Sequence, residues 1–411
     1  MKVVFVLNGL THYFNTVLNK LNSIDGIEII CIVHKEEQAS NIGTGVHLSH
    51  SGIEFKVHYL NEIKRYYGKT FFKHDLSVLK KESPKIIVIG WPYILEFIFN
   101  PLLLWWIKKQ NIKILYRDIP FQLQSFDDAI RFRKTDFYDE NLQKYNQNHF
   151  SRLNNFFIAL LRKVYFSISD LILLYTEEGV RIIRTFCVPK EKIIVTYNSP
   201  DTNILFDAKR KANQLEPILP YNNFRLIHVG RLVKWKRVDM LINSINALQS
   251  EFSEIELVII GNGPELRRLE QLSAKLNLTD KISFVGAVYD PVLLGRYFAA
   301  SSIYILAGMG GLSINEAMLF GKPIICSVCD GTEKKLVRDG FNGYYFEDGN
   351  LKSLIEKISI LLKNEIMIKN FGTNSTFIIE NEININSVIN GYLEAFNKVC
   401  YIPAINSVIE S

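Results

Sequence analysis

Apolar residues fall along this chain in short unbroken runs, separated by stretches in which they recur every third or fourth position. In the first half the runs are VVFVL (3–7), IEIICIV (27–33), KIIVIG (85–90), IKILY (112–116), LILLY (171–175) and IIVTY (193–197). In the second half they are RLIHVG (225–230), IELVIIG (255–261), ISFVG (282–286), IYILA (303–307) and KPIIC (322–326). Continuous Ile, Val and Leu, without alternation, predict strands covered on both faces, as in parallel sheets. Strand–helix alternation with right-handed crossovers makes this an α/β, doubly wound fold.

The pattern lapses over residues 199–224, a polar stretch with three prolines and no sustained period. That predicts two Rossmann-like domains, residues 1–200 and 225–384, with a linker at 201–224. Residues 385–411 form a C-terminal segment whose amphipathic helix, 385–399, packs back toward the first domain. Two such domains facing across a cleft bind ligands beyond the carboxyl ends of their strands. The chemistry is therefore expected on the loops that follow the runs.

Composition narrows the partners. The 411 residues suit two domains, and 48 Lys and Arg against 42 Asp and Glu leave a net charge of +6. That excess is too small to argue for nucleic acid and fits anionic ligands or an anionic surface. Cys31, Cys187, Cys326, Cys329 and Cys400 are odd in number and irregular in spacing, which argues against a disulfide framework and for a reducing cytoplasm. Cys326 and Cys329 make a CxxC pair, but Cys326 ends a buried-strand run and no second pair completes a zinc site. No secretory signal follows Met1. The segment Ile86–Ile107 is long enough to span a bilayer. Glu96 near its middle would cost about 2.5–3.5 kcal/mol there, and Gly90, Pro92 and Pro101 interrupt it. The preferred parse is a buried strand at 85–89, a turn and an apolar helix.

Four loops carry candidate chemistry. In VGRLVKWKRVD (229–239), Arg231 and Lys236 sit between a strand end and a helix start, where backbone N–H groups and the helix dipole favour a phosphate or diphosphate. A solvated basic turn, with Lys234 and Arg237 alongside, is the competing reading. In IIGNGPELRRLEQLS (259–273), GxG follows a strand but lacks the third glycine, and Pro264 opens the helix. A tight turn around Gly261 is sufficient explanation. In AGMGGLSINEAM (307–318), Gly308, Gly310 and Gly311 let the main chain approach a ligand, and Glu316 lies about one turn into the next helix. A carboxylate there accepts two hydroxyls, as on a ribose; the bland alternative is turn geometry plus a helix-dipole partner. In the fourth loop (329–350), Glu333 follows a Gly-Thr turn and reads equally well as a helix first-turn residue.

Taken in order and spacing, these loops resemble the retaining glycosyltransferases of family 4, which have the GT-B fold. The resemblance rests on VGRLVKWKRVD, IIGNGPEL, ISFVGAV, GGLSINEAMLFGKPII and VRDGFNGYYF in the second half, and on residues 169–202 before the linker. The N-terminal third is similar only in outline. The resemblance implies a nucleotide-diphosphate sugar donor, UDP- or GDP-linked, on the second domain and a glycan or lipid-linked acceptor on the first. It implies that Arg231 and Lys236 hold the diphosphate and act on the leaving group, with Gly230, Gly261, Gly310, Gly311 and Leu312 around them. It also implies that Glu316 bonds the ribose, Val285 flanks the base, and Asn8 and Gly9 approach the phosphates from the first domain. No metal and no cofactor are implied, since the two cations neutralise the diphosphate.

Two departures stand out. The family carries two glutamates separated by seven residues; Glu316 matches the second, and Gly308 occupies the place of the first. This reads as a variant subclass, because the phosphate cations remain. After IKILY the family often has His-Asp, whereas this chain has Arg117-Asp118. Arginine cannot serve as a base; it is a ligand for an acceptor phosphate or the donor, with Asp118 to orient it. His12 is the nearest titratable alternative on the acceptor side. Leu102 to Trp106, Lys108, Lys109, Arg131, Arg133 and Lys134 suit an anionic leaflet, so the expected location is cytoplasmic and peripheral on the inner face of the membrane. The rivals are a nicotinamide dehydrogenase, which would need the full GxGxxG and the acidic residue at the second strand's end that this chain does not convincingly offer, and a non-catalytic nucleotide-sugar-binding protein.

Overall fold

The computed structural model describes residues 1–35, 48–65, 69–72, 75–118, 125–131, 149–220, 222–327 and 331–401. Among them, residues up to 131, 149–198 and 386 onward form one compact unit, and residues from 199 to 385 form a second.

The first unit holds β1 (Lys2–Val6), β2 (Glu28–His34), β3 (Lys56–Leu60), β4 (Glu62–Arg65), β5 (Lys69–Phe72), β6 (Ile86–Ile89), β7 (Lys113–Asp118), β8 (Leu171–Leu174) and β9 (Ile193–Val195). Seven of these make one parallel sheet in the order β3-β2-β1-β6-β7-β8-β9, and β4 and β5 pair as an antiparallel hairpin. The chain builds outward from β1 to β3, then returns to the other side of β1 to add β6, so the direction of winding reverses between β1 and β6. Val4 pairs with Ile30 on one side and Ile87 on the other, and all three are buried. This is the continuous apolar strand pattern expected where helices cover both faces.

The second unit repeats the plan. Its strands are β10 (Arg225–Val229), β11 (Glu256–Ile260), β12 (Ile282–Gly286), β13 (Ile303–Leu306), β14 (Ile324–Ser327) and β15 (Gly343–Phe346), in the order β12-β11-β10-β13-β14-β15. The reversal falls between β10 and β13. The helix Val238–Leu248 turns Val238, Leu241, Ile242, Ile245 and Leu248 into the core, a three-and-four spacing that lays one stripe on the sheet.

Two expectations are corrected. The predicted linker contains an eleven-residue helix, Thr202–Ala212, capped by the Asp201 side chain. Its inward residues are Leu205, Ala208 and Ala212, and it packs on the helix Pro291–Ala299, where a Cβ on Gly295 would lie 3.0 Å from the Ala212 Cβ. Alanines give little hydrophobic signal but allow close packing, so no period was visible. The apolar segment after β6 is two short helices, Leu95–Phe99 and Pro101–Lys109, parted at Asn100-Pro101. Leu103 and Ile107 are buried whereas Leu102 and Trp105 are exposed. Glu96 is buried and accepts from Arg65 Nη1 at 2.6 Å. Among the described residues no helix is long and apolar enough to cross a membrane. The C-terminal helix Ile385–Val399 belongs, from Asn386 on, with the first unit, where Tyr392 lies 6.0 Å from Phe5 ring to ring. Cys326 is buried at the end of the sheet core, and its CxxC partner Cys329 lies outside the described residues.

One ionic cluster supports the amino end of the first sheet. Glu82 is covered by Lys56 at 2.7 Å, His58 at 2.8 Å and Lys2 at 3.3 Å, which reach it from β3 and β1. Burial alone would raise its pKa, but these hydrogen bonds outweigh burial and hold its carboxyl at about 2. A depressed carboxyl stabilises the fold above its unfolded value, near 4.5, and this stabilisation disappears as pH falls toward 2. The lysines are partly solvated, so Glu82→Gln should cost only about 1–2 kcal/mol at pH 7. Denaturant unfolding should show this gap closing between pH 4.5 and 2; a gap that persists at the acid end would contradict the assignment.

Candidate functional site

The reversal point of the second sheet brings three loops together. The loop after β10 carries Gly230, Arg231 and Lys236; the turn after β11 carries Gly261; the loop after β13 carries Gly308, Gly310 and Gly311. Since β11, β10 and β13 are neighbours, these loops stand side by side, where α/β sheets bind ligands.

Backbone contacts lock the loops. Gly230 donates to Ile260 O at 2.9 Å, Leu232 to Asn262 O at 2.9 Å, and Gly261 to Gly286 O at 2.8 Å. Gly261 has φ +150° and its backbone is so close to Gly230 that a Cβ would fall 1.8 Å from the Gly230 carbonyl oxygen. Only glycine fits there. On the other side, Met309 donates to Trp235 O at 3.1 Å. A Cβ on Gly308 would lie 2.0 Å from the same oxygen. The space beside Gly308, where the resemblance leads one to expect a glutamate, is therefore filled by the backbone of residues 235–236.

Lys236 is buried, and its ammonium donates to Met309 O at 2.7 Å and Gly310 O at 2.6 Å. It thus binds the glycine loop through carbonyls, and a Cβ on Gly311 would lie 3.3 Å from Nζ. Arg231 is half-buried, with its guanidinium 5.8 Å from the Trp235 ring centre. The turn Lys234–Lys236 leads through Arg237, in the left-handed region at φ +53°, into the helix Val238–Leu248.

Glu316 is in the first turn of the helix Ser313–Leu319, of which Leu312 is the N-cap. Protein encloses its carboxyl while part of the residue remains open to solvent, and this burial raises its pKa to about 7. Val285 is half-buried near the end of β12, beside Gly286. Glu333 is buried, and its carboxylate accepts from Gly331 N at 3.0 Å.

Sequence reasoning missed the polar layer beneath these loops. His228, on β10, is fully buried; its Nδ1 donates to Ile305 O at 3.1 Å, which leaves Nε2 as the acceptor nitrogen. Nε2 has no hydrogen-bond partner and would lie 3.5 Å from a Cβ on Gly230. Burial lowers the His228 pKa to about 4, so the ring is neutral near pH 7. Tyr304, on β13, shares a 2.7 Å hydrogen bond with Ser313 at the start of the Glu316 helix. The signal was a His and a Tyr inside otherwise aliphatic strand runs.

The remaining candidates belong to the first unit. Asn8 and Gly9 are half-buried after β1, and His12 is the exposed first residue of the helix His12–Asn22. Arg117 and Asp118 end β7. Arg133 and Lys134 lie outside the described residues; Arg131 is exposed. Among the described residues no three His, Cys, Asp or Glu side chains converge as metal ligands.

Residues 210–376 match the family model "Glycosyl transferases group 1". A glycosyltransferase of Methanocaldococcus jannaschii is 31% identical over 184 residues, which cover 43% of this chain and 46% of that protein. A Haemophilus influenzae glycosyltransferase is 28% identical over 206 residues, 45% of this chain and 57% of that protein. The chain thus spans about half the length of these curated relatives. Among solved structures, Anabaena HepE in complex with UDP matches with a TM-score of 0.66 at 15% identity, over 97% of this chain and 100% of that one. The two α/β units are therefore those of the GT-B fold, and the stretch that matches the glycosyltransferase group 1 model lies in the second.

Proposed function

We propose that the chain is a retaining glycosyltransferase that moves a sugar from a nucleotide-diphosphate donor to a glycan or lipid-linked glycan acceptor of a cell-surface polysaccharide, without a metal. The observation that carries this reading is the junction at the β10–β13 reversal, where Lys236 is hydrogen-bonded to the glycine loop and Arg231 lies on the same basic turn. The names of similar proteins agree with it. One Staphylococcus aureus relative is a capsular polysaccharide biosynthesis glycosyltransferase, and a Campylobacter jejuni relative acts on a diphospho-undecaprenol-linked sugar.

In this reading the bond from the sugar C1 to the diphosphate oxygen breaks as charge builds on the diphosphate. Arg231 and Lys236 stabilise that charge, and Gly230, Gly261, Gly310, Gly311 and Leu312 shape the cradle. Glu316 accepts the ribose hydroxyls, Val285 flanks a uridine or guanine base, and Asn8 and Gly9 serve the same donor. The acceptor oxygen attacks from the face the leaving group vacates, and its proton passes to a diphosphate oxygen. His12, Arg117 and Asp118 belong to the acceptor side. Screening UDP- and GDP-sugars and reading product configuration by NMR tests the proposal; an inverted anomer contradicts retention. A chain that binds donor yet never turns it over would be the alternative, a non-catalytic nucleotide-sugar-binding protein.

Residence on the inner face of the cytoplasmic membrane is part of the reading. It is supported by exposed Leu102 and Trp105, by Lys109 over the Trp105 ring at 4.8 Å, and by exposed Leu153, Phe157, Leu160 and Val164 along the helix His149–Ile168. Salt-sensitive binding to anionic liposomes is expected, and indifference to vesicles would remove this element.

Glu316 supplies a pH signature. Its raised pKa leaves the carboxyl increasingly protonated below about 7, and a protonated carboxyl is a poorer acceptor for two hydroxyls. Affinity for a UDP-sugar, whose diphosphate has no proton to lose near neutrality, should rise with pH through about 7. Calorimetry on Glu316→Gln should find a flat profile; an unchanged slope would assign the titration elsewhere.

A further inference from the structure

Neighbouring residues of a strand face opposite sides of the sheet, so Arg117 and Asp118 serve different surroundings. Asp118 acts on Tyr116 and Tyr165, whose hydroxyls it makes harder to ionise, after burial as the main cause. Arg117 lies on the other side, and Asp118 is not placed to orient it. The Arg117 guanidinium is 4.0 Å from the centre of the Phe14 ring and 4.7 Å from that of Tyr175. Phe14 is in the first turn after the β1 loop, and Tyr175 directly follows β8. Tyr392, from the C-terminal helix, stands 6.3 Å from Phe14, and its hydroxyl lies near Arg117 and Thr196.

This cation has no counter-charge: no carboxylate among the described residues pairs with it. Its Nε is buried without an acceptor, and so are the hydroxyls of Tyr392 and of Thr176, the residue after Tyr175. Aromatic faces hold the guanidinium plane, but they offer nothing to its Nε. Arg117 also keeps some exposure, at the carboxyl end of a parallel strand. A rigid, half-buried guanidinium without an anion is suited to a bidentate oxyanion, and phosphate above all.

We propose that Arg117, seated between Phe14 and Tyr175, is the binding site for a phosphate group carried by the acceptor. This rests on the glycosyltransferase reading and names a feature of its acceptor: a phosphorylated glycan or lipid. The donor diphosphate offers the same chemistry, so the test separates the two sources.

The probes are octyl phosphate, neutral octyl glucoside and UDP, titrated calorimetrically into the full chain and into Arg117→Gln. Wild type should bind octyl phosphate in a salt-sensitive manner and octyl glucoside far less. Arg117→Gln should lose about tenfold or more of the phosphate affinity and keep its UDP affinity. Unchanged phosphate binding overturns the proposal, and so does a loss confined to UDP, which would give the site to the donor. Should Arg117→Gln unfold, phenylglyoxal labelling of wild type replaces it. Octyl phosphate, but not UDP, should then protect Arg117, and a failure to protect is equally fatal. Failure of wild type to bind UDP at all would instead strike the donor reading, independently of the phosphate result.

Discussion

Arg231→Ala should lower kcat/KM for the sugar donor by about 10²–10³-fold, the scale of losing one preorganised donor to a developing oxyanion. Thermal unfolding measured alongside shows whether the loss is one of charge or of fold, since the half-buried guanidinium also lies beside the Trp235 ring, 5.8 Å from its centre. Lys236→Met should be as damaging to turnover and should also destabilise the chain. Its buried ammonium donates to the carbonyls of Met309 and Gly310, and a hydrogen bond from a charged group is worth about 1.5–3 kcal/mol. The two variants therefore separate charge at the diphosphate from support of the loop. If both retained turnover, the cradle would be wrongly placed.

Gly308→Glu, which recreates the two-glutamate pattern of the resembling family, should lower turnover about 10²-fold or more. Any Cβ at 308 meets the Trp235 carbonyl oxygen at 2.0 Å, and the Lys236 backbone is 2.8 Å away. The obstacle is main chain, so no rotamer relieves it, and residues 235–236 must move. Overpacking of this kind costs about 1–3 kcal/mol, and a shift of about 1 Å at a reacting site costs about 10² in rate. Gly308→Ala should already show most of the loss, which separates the steric cause from the added charge. Turnover by Gly308→Glu at or above wild type would mean that the 308 and 235 segments are not joined as described.

Much of the fold could be read from the chain because buried parallel strands are nearly pure Ile, Val and Leu. All eleven runs became strands. The parallel strands that were missed, β3 and β15, lie at the edges of their sheets. KVHYL and GYYF are only partly buried there, so polar and aromatic residues replace aliphatic ones and the run is lost. The β4–β5 hairpin was missed because EIKR is short and charged. The helix Thr202–Ala212 was hidden by its inward alanines.

At the site, the runs placed Arg231, Lys236, Gly261 and the glycine loop just after strand ends, and it was the resemblance, not spacing, that grouped them. Spacing did not reveal what each atom touches. Lys236 reaches carbonyls, and Gly308, read as a missing carboxylate, is a position where the backbones of two loops meet. His228 and Tyr304 escaped notice because a polar residue facing inward from a strand is visible only once the sheet order is known. Arg117 and Asp118 were paired by adjacency in sequence, which in a strand places them on opposite faces.

The most direct measurement compares calorimetric affinities for UDP and UMP in wild type and in Arg231→Ala. A pyrophosphate cradle built on the basic turn and the glycine loop requires wild type to prefer UDP by about tenfold or more, the value of one charge-assisted contact, and the variant to lose most of that preference. Equal affinity for the two nucleotides in wild type, or an undiminished preference in Arg231→Ala, would contradict it.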